Sequence, residues 1–132
     1  EGKWAIVLGL TSNKGAQDFE LQPSGNLLLY ERVIKTVAAW GNPNNIMFVV
    51  GATQPEWFER IRAMVPEHFL LVPGVGAQGG SLKDISERAM NKECGLLVNV
   101  SRGIIFASDG EEFAVVAAGE AKKYQQEMAA YL

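Results

Sequence analysis

Several things are scarce in this chain of 132 residues, and each scarcity excludes something. There is one cysteine, Cys94, and one histidine, His68. A lone thiol forbids an intrachain disulfide, so the fold must rest on its core, and a reducing compartment fits. No zinc-ligand spacing occurs, and no P-loop with its Lys-Ser or Lys-Thr ending. Basic residues do not outnumber acidic ones: 12 stand against 15, a formal net charge of −3. That argues against a nucleic-acid partner or an anionic membrane surface, either of which calls for a basic stripe. No apolar run reaches membrane-spanning length, and no signal-peptide pattern opens the chain. A soluble cytoplasmic protein is the expectation. Aspartate is thin too, at Asp18, Asp84 and Asp109 only.

What is present is a core. Hydrophobic residues make up 48% and charged residues 20%, a balance that folds rather than stays disordered. The length suits one domain, residues 1–132, and no linker or low-complexity segment divides it. The chain starts at Glu1 without Met and enters an apolar stretch almost at once. A piece of something longer is therefore expected.

Short, β-branched apolar runs alternate with longer helical patterns. Trp4 to Leu10, Ile46 to Val50, Phe69 to Val72 and Gly95 to Val100 read as strands. Leu27 to Trp40 reads as a helix that stops at Gly41. Thr53 with Glu56 reads as a capping box for a helix to about Val65, with Pro55 in its first turn. Ser81 caps a shorter helix to about Met90. Ser101-Arg102-Gly103 reads as an interruption before Ile104-Ile105-Phe106. Ser108 and Glu111 form another capping box, before a last helix to Leu132. Thr11 to Asn26 reads as a long polar loop. Four βα units in a row imply a parallel sheet with crossover helices. The strands are apolar on nearly every residue, as when both sheet faces are buried.

Two architectures fit that order. One is a small doubly wound sheet of flavodoxin type. The other is half of a (β/α)8 barrel, which in full needs about 250 residues. Length favours the first and the loops favour the second. Candidate-bearing loops follow all four strands at their C-terminal ends, where a barrel gathers its site.

"PGVGAQGG", Pro73 to Gly80, holds four glycines in eight residues. A glycine-rich turn from strand to helix lets backbone N–H groups approach a phosphate, beside the positive end of the helix. A tight turn requiring positive φ is the equal alternative. Arg102, with Gly103, follows the next strand, so it should project beside Gly79 and Gly80. A guanidinium fork matches phosphate oxygens bidentately, which tips the balance toward phosphate over a surface ion pair. Gln78 can both donate and accept. Ser12 and Asn13 could bind a polar ring or simply form a turn. His68 precedes the third strand, at the end where barrel residues serve stability. Cys94 reads as a small buried hydrophobe, Trp57 and Phe58 as packing, and Lys122 and Lys123 as a solvated face.

"VVGAT" (Val49 to Thr53), "FLLVPGVGAQGGSL" (Phe69 to Leu82), "LLVNVSRGIIFA" (Leu96 to Ala107) and "LTSNKGAQDF" (Leu10 to Phe19) together resemble orotidine 5′-phosphate decarboxylase, in its longer bacterial branch. The resemblance runs the length of the chain, in order, and matches the C-terminal half of the barrel, strands five to eight. It implies an α/β fold, a (β/α)4 half of a TIM barrel. It further implies conversion of orotidine monophosphate to uridine monophosphate in pyrimidine biosynthesis, with no metal or organic cofactor. By the same resemblance Ser12, with Asn13 beside it, corresponds to the pyrimidine-binding turn. Gln78 reaches the phosphate and the pyrimidine side. Gly79 and Gly80 lie at the phosphate, and Arg102, with Gly103, clamps it. Where the family often reads Asn-Ser-Ser-Arg-Gly, this chain has Asn99-Val100-Ser101-Arg102-Gly103, which touches only strand-end packing.

The family's chemistry rests on an Asp-x-Lys-x-x-Asp motif and a further lysine from the N-terminal half. None of the three aspartates here begins such a motif. No catalytic residue is therefore expected in this chain, which alone should be inactive. Half a barrel leaves two open sheet edges and an apolar concave face. The N-terminal half as a partner, or a second copy in a dimer, is expected to cover them. A non-catalytic, self-associating half-barrel that binds phosphate is the alternative, and a complete flavodoxin-like module the least favoured.

Overall fold

The computed structural model describes residues 2–76 and 78–132. Glu1 and Ala77, the latter inside the glycine-rich stretch, lie outside the described residues. Four parallel strands form one sheet in the order β1 (Ala5–Leu10), β4 (Ile46–Val50), β5 (Phe69–Pro73), β6 (Leu96–Asn99). The crossovers carry α1 (Leu29–Ala38), α2 (Glu56–Met64) and α3 (Leu82–Ala89), and after β6 come α4 (Ser101–Ile105) and α5 (Phe113–Ala129). Spatial order follows chain order, so no strand is inserted between its predecessors. A sheet that starts a barrel has this order; the flavodoxin type, 2-1-3-4-5, does not.

Register assigns each side chain to a face, because successive residues on a strand alternate. Val7, Phe48, Leu70 and Leu96 are paired in one row. They meet Ile34, Phe58, Ile61 and Ile85 in the core. Leu8, Val49, Leu71 and Leu97 form the neighbouring row on the opposite face. There Ile6 is 53% exposed, Leu8 55% and Leu97 50%. All the helix-facing apolar side chains of the central strands are buried. Strand pattern alone suggests that both sheet faces are covered; within this chain one face is, and the other is the bare apolar face expected of half a barrel. Burying such a side chain contributes about 1.5–3 kcal/mol, so the bare face is strongly biased toward association.

The first strand's following segment is not a plain loop. It holds a short 3-10 turn, Lys14–Gln17, and a two-residue hairpin of β2 (Pro23–Ser24) and β3 (Leu27–Leu28). The hairpin uses the residues expected to begin α1, which instead starts at Leu29, its Leu28 N–H donating to Glu31 Oε2 at 2.7 Å. Glu31 is buried and pairs with Arg60 of α2. Burial pushes its pKa up, but the Leu28 N–H and the guanidinium outweigh that and hold it below the usual carboxylate range. The adjoining Tyr30 phenol is buried edge-on to Trp57 and pushed up to about 12 by burial and by Glu31.

Two expected helix starts and one expected strand interruption differ. Thr53 caps nothing: α2 begins at Glu56 after Pro55, and Gln54 Oε1 accepts from Trp57 Nε1 at 2.8 Å. Ser101-Arg102-Gly103 does not interrupt a strand but opens α4, with Ile104 N–H donating to Val100 O. A short apolar run such as Ile104-Ile105-Phe106 carries no period that separates helix from strand. Ser108 closes on Glu112 Oε1 (2.7 Å) and the Gly110 N–H (3.2 Å) rather than on Glu111, because Gly110 adds a turn before α5. Ser81 does cap α3, accepting from Asp84 N–H.

The N-terminal ends of the strands are pinned by one side chain. Arg62, near the end of α2, donates to the carbonyls of Ala89 (2.8 Å), Val65 (2.9 Å), His68 (2.7 Å) and Gly95 (2.9 Å). Burial lowers its pKa to about 10. His68 is buried beside Phe48 at this same end, and its pKa is lowered by burial and by Arg62. No helix among the described residues is long and apolar enough to cross a membrane.

Candidate functional site

At the C-terminal ends of the strands the loops converge. A cleft of about 150 Å³ lies between the β5 and β6 loops, lined by Gly74, Val75, Gln78, Asn99, Arg102 and Gly103 among others. A wider hollow of about 500 Å³ opens beside it, lined by Ser12, Asn13, Gly51, Thr53 and Gln78 among others. Pro73 and Gln78 border both. The residues singled out on three separate loops are thus brought together, with Gln78 between the two spaces.

Arg102 is exposed and makes no hydrogen bond or ion pair among the described residues. A surface pair with a carboxylate, the competing expectation, is absent from that set. Gly103 lets α4 sit close: a Cβ there would meet Val100 Cγ1 at 3.0 Å and Tyr124 Oη at 3.2 Å. Ser101 Oγ donates to Asn99 Oδ1 at 2.7 Å, steadying the turn that carries Arg102.

The glycine loop answers to conformation in part. Gly74 and Gly79 adopt φ of +98° and +89°, a region that side chains disfavour. Its N–H groups are used within the loop: Gly79 to Gly76 O (2.8 Å), Gly80 to Gly74 O (3.2 Å) and Gly76 to Gly80 O (3.0 Å). Gly79 and Gly80 do not line the cleft. They form the turn that presents Gln78, whose Oε1 would lie 2.9 Å from a Cβ on Gly74. Asn13 borders the hollow, with its Oδ1 facing the Thr11 hydroxyl. The Glu20 carboxylate accepts from the Thr11 N–H (2.7 Å) and hydroxyl (2.8 Å), tying that turn down.

His68 and Cys94 lie at the other end of the sheet. Cys94 is half-buried and adopts φ +71°. Among the described residues no three His, Cys, Asp or Glu side chains come together to hold a metal ion. A larger hollow of about 690 Å³, between Trp4, Phe69, Pro66 and Lys92, also lies at that far end, away from the convergent loops. Gly51 and Thr53, in a loop that the sequence places at this face without assigning either a role, also border the hollow.

The fold alone admits many functions, so relatives matter. Over 129 residues, 97% of this chain, it is 55% identical to the orotidine 5′-phosphate decarboxylase of Phocaeicola vulgatus, of which it covers 47%. It is 53% identical to that of Bacteroides fragilis over 133 aligned positions, covering 48% of it. The chain is homologous to the C-terminal half of orotidine 5′-phosphate decarboxylases. It spans about half the length of the relatives it matches, the C-terminal half. No family model matches it. Among solved structures, the Leishmania donovani OMP decarboxylase superposes with a TM-score of 0.79 at 34% identity, over 98% of this chain and 48% of that one. The UMP synthase of the same organism gives 0.78 at 37% identity, over 96% of this chain and 28% of that one. Those decarboxylases are TIM barrels, so the four-stranded parallel sheet is about half of such a barrel.

Proposed function

We propose that this chain, as a single (β/α)4 domain, is the phosphate- and pyrimidine-binding half of an orotidine 5′-phosphate decarboxylase. It would serve uridine monophosphate biosynthesis in the cytoplasm. The observation that carries the reading is Arg102, without a partner among the described residues, over a glycine-walled cleft whose edge residue Gln78 also borders the Ser12 hollow. An unpaired guanidinium beside bare backbone suits phosphate oxygens, which it can grip with two parallel donors. The Gln78 amide can donate to the phosphate and reach the ring. The Ser12 hydroxyl faces a space wide enough for a pyrimidine. Gly79, Gly80 and Gly103 contribute shape.

The reaction breaks the bond between the ring carbon and its carboxylate, releases CO2, and leaves an electron pair that takes a proton. A nearby cation must stabilise that pair. Arg102 is assigned to the phosphate, and among the described residues no lysine borders either space. The proton donor and its carboxylates therefore come from a complementary (β/α)4 half. That half would also cover Ile6, Leu8 and Leu97 and pair with the open edges of β1 and β6.

Mixing the chain with a complementary N-terminal half should restore loss of orotidine monophosphate absorbance, with neither half active alone. Turnover by this chain alone would overturn the reading, as would a stable mixed assembly that binds no uridine monophosphate. The same bare face favours a second reading, a non-catalytic dimer of this chain that binds phosphate. Sedimentation of the chain with and without the other half separates the two.

A further inference from the structure

The loop after β4 borders the hollow and is bonded to the strands on both sides. The Gly51 N–H donates to Leu10 O (2.9 Å), and the Ala52 N–H donates to Pro73 O (2.9 Å). Two consecutive residues thus tie the end of β1 to the end of β5. Their side-chain positions are equally tight. A Cβ on Gly51 would overlap Ser12 Oγ and lie 2.7 Å from Ser12 N. Ala52 is buried, and its Cβ occupies the place that a side chain on Gly80 would need. It also lies 3.7 Å from where a Cβ on Gly74 would stand. Gly51 does not adopt positive φ, so nothing in its backbone requires glycine. The requirement is Ser12, its backbone N as well as its side chain.

We infer that Gly51 and Ala52 are positioning residues that set the two subsites separately. Gly51 fixes the Ser12 hydroxyl on the ring side. Ala52 fixes the glycine loop on the phosphate side. This rests on the functional reading above and adds to it a division of labour between two neighbours.

The test uses the barrel assembled from both halves, titrated with uridine monophosphate and with ribose 5-phosphate, which lacks the ring. Gly51→Ala should weaken uridine monophosphate roughly tenfold, the scale of one lost hydrogen bond. It should leave ribose 5-phosphate within about twofold. Ser12→Ala should reproduce that pattern. Ala52→Gly, which loosens the packing under Gly80 without a clash, should weaken both ligands by the same factor. Wild-type protein that binds neither ligand would defeat the functional reading. Wild-type binding of both, with Gly51→Ala affecting both equally or neither, would defeat the division of labour. If Gly51→Ala does not fold, Ser12→Ala and Ala52→Gly still decide it, since ligand-independent behaviour of the first or unchanged binding by the second contradicts the assignment.

Discussion

Arg62 and Arg102 stand at opposite ends of one sheet and differ in nearly everything but their guanidinium. Arg62 is held by five carbonyls drawn from α3 and from the segments that follow α2 and precede β5 and β6. Arg102 is exposed on the first turn of α4 and faces a cleft without a protein partner among the described residues. One has its donors filled from within and serves the fold. The other has them free and is available to a ligand. In a barrel the two ends of the strands divide labour in this way, and here the division is visible in the hydrogen bonds of two side chains of the same type.

The comparison breaks most readily at Arg62. Arg62→Ala leaves several carbonyls without a charged donor and should cost about 3–5 kcal/mol, read from urea denaturation midpoints. Arg62→Lys should recover little, since a single ammonium cannot span five acceptors. Arg102→Ala should shift the same midpoint by no more than about 0.5 kcal/mol. Equal stability losses at the two arginines would erase the distinction.

A smaller effect is expected at Glu31. Its pKa is lowered in the fold, so its stabilising contribution is present above the unfolded carboxylate pKa and is lost as pH falls through the folded value. Glu31→Gln should flatten the acid limb of a stability–pH profile and lower stability at neutral pH. An unchanged acid limb would show that the Arg60 pair and the Leu28 N–H do not matter in solution.

The smallest concerns His68. Its folded pKa lies below the unfolded value of about 6.5, so the unfolded chain binds the extra proton first. Stability should be full above that pH and decline as pH falls below it. His68→Phe should remove that decline, and a profile identical to wild type would rule out His68 as its source.

The fold was legible wherever packing imposes a period or a stop. Ile46 to Val50 is a strand as read, and Ser81 caps α3 as read. The errors share a cause. Thr53, Ser108 and the Ser101-Arg102-Gly103 turn were assigned from local pattern. Each was decided by a neighbour: Pro55 and Gln54, Gly110, and the close packing of Gly103 on Tyr124. Strand pattern alone did not reveal the bare sheet face, since a strand apolar on both sides reads the same whether its second cover is in the chain or outside it; the half-barrel resemblance did. For the site, Arg102 and Gln78 stood out by chemistry. Gly51 could not, since its role is the space it leaves for Ser12. Arg62 was missed because a structural arginine has no sequence signature apart from its helix.

Calorimetric titration of the assembled barrel, wild type against Arg102→Ala, is the most direct test, with uridine monophosphate and uridine as ligands. Uridine monophosphate affinity should fall by roughly ten- to a hundredfold, the range of a charge-assisted hydrogen-bonded pair. Uridine affinity should stay the same. Uridine monophosphate binding that is unchanged by Arg102→Ala would contradict the assignment of this cleft to the phosphate.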